Sequence, residues 1–202
     1  FRRSRGLGDV YKRQGPIYVE MLPAEAPENV ARFIEFTVGE VPLVETDSTP
    51  TASLGYYNGS RFHRVIPNFI IQAGSPEHIA HGRPRDYLAD EINASALGLD
   101  RLPVILPAGE INPILNTDSQ QEFARRVLEP LYRQLGINST EQLKTEESTI
   151  IDTLQSLTVM RLYEFEGYRY QNSYPTRAVT RGIVALANDG PNRNGPEFFI
   201  LL

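Results

Sequence analysis

The chain has 202 residues, 41% hydrophobic and 22% charged, with 20 basic against 25 acidic side chains for a net charge of −5. That is an ordinary globular composition, long enough for one core, and its acidic balance argues against a phosphate-backbone binder, whose affinity rests on clustered Lys and Arg. Zero cysteines exclude disulfides, thiolate nucleophiles and Cys-based zinc sites, and no apolar run approaches the length of a membrane span.

Residues 1–14, FRRSRGLGDVYKRQ, hold neither an initiator Met nor the apolar region of a signal peptide. They resemble translated adaptor sequence and are expected to be a non-native or disordered leader; the lack of a visible signal favours a cytoplasmic location. Over residues 16–22, Ile17, Val19 and Met21 alternate with Tyr18, Glu20 and Leu22, which predicts a half-buried strand. Pro27 suits the first turn of a helix, where its missing N–H is no loss. Val30, Phe33, Ile34 and Val38 follow at helical spacing as a core-facing stripe, and Gly39 offers a left-handed stop. Residues 41–56 read as a polar loop, and Asn58-Gly59 as a turn into the next strand.

That strand opens residues 61–72, RFHRVIPNFIIQ. Strand alternation puts Phe62, Arg64 and Ile66 on one face and His63 and Val65 on the other; beyond Pro67 and Asn68, Ile70 and Gln72 share a face. A guanidinium on an apolar strand face is costly unless its fork of donors is satisfied, so Arg64 is a site candidate. Taken alone, such an Arg is more often a sheet-edge or snorkelling residue than a site residue.

His78 and His81 are spaced to share a helix face and bind metal, but Gly82 and Pro84 directly after them favour surface histidines on a loop. Between about residues 91 and 175, Phe123, Val127, Leu128, Leu131 and Leu135 predict one helix, divided near Pro130 and closed by Gly136. Ser139 and Gln142 form a capping box for a second helix carrying Leu143, Ile150, Ile151, Leu154, Leu157 and Leu162. The two are expected to pack on each other and on the barrel that the strands form, covering their own apolar faces or presenting a partner surface. Residues 188–195, NDGPNRNG, are dense in turn formers between two apolar runs, predicting strands around a loop.

Two segments, FHRVIPNFIIQAG and ALANDGPNRNGPEFFI, together resemble the signatures of the cyclophilin-type peptidyl-prolyl cis-trans isomerases, and GPIYVEMLPAEAPENVARFIEFTVGE followed by YYNGSRFHRV resembles the family's opening strand and first helix. The likeness covers residues 15–75 and about 180–202. It implies one domain over residues 15–202, mainly β with helices: an antiparallel barrel interrupted by the helical segment at about 91–175. The family continues beyond the second signature with a loop carrying an aromatic, a Leu and a His, and then closing strands. A chain that stops at Leu202 is therefore expected to be a fragment with an open barrel edge.

The resemblance also implies a chemistry. Partial double-bond character gives the X–Pro bond a barrier of about 18–20 kcal/mol, which falls when a donor favours the twisted amide with its localised nitrogen lone pair. No nucleophile, metal or cofactor is called for, and no group need titrate, so the rate should be flat between about pH 6 and 8. Arg64 would be the donor and Gln72 would fix it. Phe69, Ile70 and Phe199 would hold the proline ring, with Ile70 where the family commonly has Met. Ala187 and Asn188 would border the groove.

Asp189 stands where the family has a small residue. Glu197 stands where it has a neutral amide, positioned either to pair with Arg64 and orient it or to hold it from substrate. Both would disfavour acidic peptides. The partners implied are proline-containing peptides or unfolded chains, bound by a monomer. A groove that holds such segments without catalysis, with the helical segment as a partner surface, is the alternative.

Overall fold

In a computed structural model of the chain, the residues described are 15–39, 55–75 and 86–202. The leader, most of the 41–56 loop, and His78, His81, Gly82 and Pro84 fall outside them.

Four strands, β1 (Arg64–Ile66), β2 (Ile70–Ala73), β3 (Val184–Asn188) and β4 (Asn194–Leu201), form an antiparallel sheet in the order β1-β2-β4-β3. The expected barrel is not closed: among the described residues β1 and β3 are free edges. Nor is the fold mainly β, since more described residues lie in helices than in strands. The alternating segment at 16–22 is not a strand. Among the described residues it has no partner strand, and Ile17 and Tyr18 are 59% and 89% exposed. Alternation reports a surface suited to a sheet, and without a ladder the backbone has no reason to be one.

Helix α1 (Pro27–Val38) starts at the expected proline and stops at Gly39, whose φ of 87° is left-handed. Its inward face is set by aromatic packing, however. Phe36 is buried, while Ile34 and Val38 are 45% and 51% exposed. Phe33 meets Tyr57 and Phe198 with ring centroids 5.3 and 5.4 Å apart, and Phe36 meets Tyr56 at 5.1 Å. Tyr57 completes the cluster against Phe198 at 5.2 Å and donates its hydroxyl to the Pro196 carbonyl at 2.6 Å. Burial pushes this phenol's pKa well above its ordinary value. Gly74 passes so close that a Cβ there would lie 2.7 Å from the Pro196 carbonyl oxygen and 2.8 Å from the Tyr57 ring.

The helical segment has its own core. Val104, Leu115, Val127, Leu157, Val159 and Leu162 are buried together, and no strand residue packs into that cluster. The helices therefore pack on each other and on the 99–115 stretch, and not on the sheet as expected. Pro130 does not divide the first helix. Here α2 (Gln120–Phe123), a π-helical turn (Ala124–Leu128) and α3 (Glu129–Leu135) run on continuously. A proline at 130 has no N–H for the Arg126 carbonyl and would clash with it in an α-helix. The chain takes up one extra residue instead, with the Glu129 N–H bonded to the Ala124 carbonyl five residues back. Val127, Pro130 and Leu131 all stay inside.

Gly136 ends α3, and Ser139 caps α4 (Thr140–Thr145) through the Gln142 N–H at 3.2 Å. The second helix is really three, α4, α5 (Glu147–Ser156) and α6 (Val159–Phe165): Glu146, at φ −100° and ψ 13°, interrupts it after α4, and residues 157–159 leave the helix after α5 to bond residues 102–104. Thr158 then caps α6.

The two ends of the segment meet. Asn93 N–H donates to Thr176 Oγ1 and Asn93 Nδ2 to the Tyr174 carbonyl, both at 2.9 Å, and Gln171 N–H donates to the Ile92 carbonyl at 3.0 Å. No helix among the described residues is long and apolar enough to cross a membrane.

Candidate functional site

One row of the sheet collects the central residues. Arg64 pairs in register with Gln72, Gln72 with Phe199, and Phe199 with Ala185, so the first three side chains cross three adjacent strands on one face. Arg64 Nη1 donates to Gln72 Oε1 at 3.1 Å. This is the pairing the family resemblance implied, made by a hairpin short enough to fix its own register. Asn68 turns it with a left-handed φ of 57°.

The neighbouring rows on that face hold Ile70 and Leu201 on one side and Glu197 on the other. Phe69 lies in the turn, 54% exposed, while Ile70 beside it is buried. Phe198 points the other way, into the aromatic cluster, as its place next to Phe199 requires.

Glu197 takes neither position considered for it. Its carboxylate meets His63 Nε2 at 2.8 Å, and among the described residues no carboxylate pairs with Arg64. Simple alternation put His63 on the far face. The His63 N–H, however, donates to the carbonyl of Gln72, which is also the register partner of Arg64. Two consecutive residues therefore face one, alternation slips, and the imidazole reaches the Glu197 side.

Ala187 and Asn188 lie at the end of edge strand β3, where the register shifts between Leu186 and Asn188. The Asn188 carboxamide is turned into the loop that follows. Nδ2 donates to Asp90 Oδ1 at 2.9 Å, and Oδ1 accepts from the Gly190 N–H at 2.7 Å. Asp90 also accepts from Asn194 Nδ2 at 2.8 Å and, through its other oxygen, from the Asn192 N–H at 2.8 Å. Asp90 thus holds the whole 188–194 loop from a distant stretch of chain.

Its neighbour Glu91 accepts from the Glu28 and Asn29 N–H groups at 3.0 and 2.8 Å, at the start of α1. Sequence reading passed over both carboxylates, because an acidic pair outside any motif looks like solvated surface. Asp189 is mostly exposed and faces Arg193 at 3.5 Å. Among the described residues no cluster of His, Asp or Glu is placed to hold a metal.

The family described as cyclophilin type peptidyl-prolyl cis-trans isomerase/CLD matches over residues 8–202. The chain belongs to that family. It is 33% identical to peptidyl-prolyl cis-trans isomerase B of Streptomyces anulatus over 54% of this chain and 61% of the relative. It is 30% identical to peptidyl-prolyl cis-trans isomerase A of Mycobacterium tuberculosis over 56% and 60%. A 27% identical match to peptidyl-prolyl cis-trans isomerase 4 of Caenorhabditis elegans covers 75% of this chain and 28% of the relative. The chain thus spans about three-fifths of the length of the bacterial relatives. No solved structure matches it.

Proposed function

We propose that the chain accelerates cis–trans isomerisation of X–Pro bonds in flexible or unfolded polypeptides. The observation that carries this is the Arg64 guanidinium held by Gln72 at 3.1 Å in one row with Phe199. A proline ring would lie against Phe199 and the exposed Phe69, with Ile70 as the buried floor. Arg64 would then donate toward the prolyl nitrogen as the amide twists and its lone pair localises. Because the guanidinium is already oriented, little reorganisation is left for the moment of reaction. Gln72 orients the donor and offers its remaining amide group to the peptide backbone. Asn188 and Ala187 border the groove, with Asp90 keeping Asn188 in place. Substrates are proline-containing segments bound by a monomer, and no step calls for a metal or cofactor.

The test is protease-coupled isomerisation of an Ala-Pro peptide beside direct peptide binding. Arg64→Ala should lower kcat/KM about a hundredfold, the scale of losing one transition-state donor, with a much smaller change in peptide affinity. Equal losses in rate and affinity would show Arg64 to be a binding residue only.

A further inference from the structure

Glu197 places a carboxylate one row along from Arg64 on the same sheet face. An ionised carboxylate is a better partner for a guanidinium than a neutral amide, since charge-assisted hydrogen bonds are roughly twice as strong as neutral ones. Yet Arg64 bonds to Gln72, and Glu197 is engaged at 2.8 Å by the imidazole of His63, the residue next to Arg64 in the chain. The slip in alternation that sets His63 and Arg64 both opposite Gln72 is what delivers the ring to that carboxylate.

We infer that His63 is a positioning residue whose Nε2 keeps the Glu197 carboxylate off Arg64, so that the guanidinium stays with Gln72 and open to the peptide. This rests on Arg64 being the donor in the proposed isomerisation, and it assigns His63 and Glu197 one joint task. The contact does not need a charged imidazole, because either the protonated ring or the neutral tautomer with its proton on Nε2 can donate to the carboxylate. It therefore agrees with a rate that is flat near neutrality.

The test uses the full chain with His63→Ala, His63→Phe, His63→Gln and the double variant His63→Ala/Glu197→Gln. His63→Phe keeps ring bulk without a donor, so it serves if His63→Ala does not fold. Loss of the donor should free Glu197 to capture Arg64 and lower kcat about fivefold, the share an exposed ion pair would sequester, with KM little changed. His63→Gln, whose amide can donate to Glu197, should keep most of the rate, and the double variant should restore it.

The Arg64 side-chain Nε–H resonance in an NMR spectrum gives a second readout. It should shift toward a carboxylate-paired position in His63→Ala or His63→Phe and return in the double variant. An unmoved Arg64 resonance, or a double variant as slow as the single one, overturns the inference. If the unaltered protein proved inactive, the proposed isomerisation would fail, while the Arg64 resonance would still decide the role of His63.

Discussion

Asp90 illustrates how one half-buried carboxylate can hold a whole loop. It accepts from two asparagine side chains and one backbone N–H across the 188–194 loop, and its own N–H donates to Asn192 Oδ1 at 3.1 Å. Asp90→Ala leaves those donors without their acceptor, at a cost of about 2 kcal/mol. Urea unfolding should show that loss, and peptide turnover should fall with it because Asn188 borders the proposed groove.

Glu166, just past α6, is governed by solvation instead. Burial raises its pKa above the ordinary carboxylate value, against the opposing pull of Arg126 and Arg133. A carboxyl whose pKa rises on folding favours the folded state while protonated. That contribution is complete below its unfolded pKa and is lost as pH rises through the folded value. Glu166→Gln should therefore melt higher than the unaltered protein near neutral pH, and the gap should close at about pH 4. A gap that widened on acidification would reverse the assigned sign.

Among the elements, α1 depends on a side chain from outside itself. Ala26 precedes it without a side-chain cap, and Glu91 accepts from the N–H groups of its first turn instead. The carboxylate also faces the positive end of the helix. Glu91→Ala should cost about 1–2 kcal/mol, the usual worth of a cap, and hydrogen exchange across residues 27–38 should accelerate more than in β2 or β4.

This dependence also explains what the sequence could and could not convey. Pro27, Gly39, Gly136 and the Ser139–Gln142 box act within a few residues of themselves, so their effects were legible directly. The Arg64–Gln72 pair came from the family resemblance, and one tight turn is enough to fix its register. Asp90, Glu91 and the His63–Glu197 contact join stretches of chain 62 to 134 residues apart. No local pattern marks them. The strand expected at residues 16–22 failed for the reciprocal reason: its pattern was clear, but nothing in it could show that no partner strand would lie among the described residues.

At the scale of the whole molecule, the described residues gather in two packing centres. Aromatic rings from α1, residues 56–57 and Phe198 pack against one side of the sheet, while the helices gather on their own aliphatic cluster. Leu162, essentially unexposed, belongs only to the second. Leu162→Ala should cost about 2–5 kcal/mol, with amide protection lost across residues 99–165 and retained in β2 and β4. Uniform loss across both regions would mean that the two centres unfold as one.

The meeting of residues 91–93 with residues 171–176 has a further consequence. A stretch whose ends lie side by side and whose interior is its own behaves as a cassette. Lineages could acquire it, trade it or shed it while the sheet beneath was spliced closed by a short linker. Selection could then reshape the helices for a new task at little expense to the row of side chains that carries the proposed chemistry.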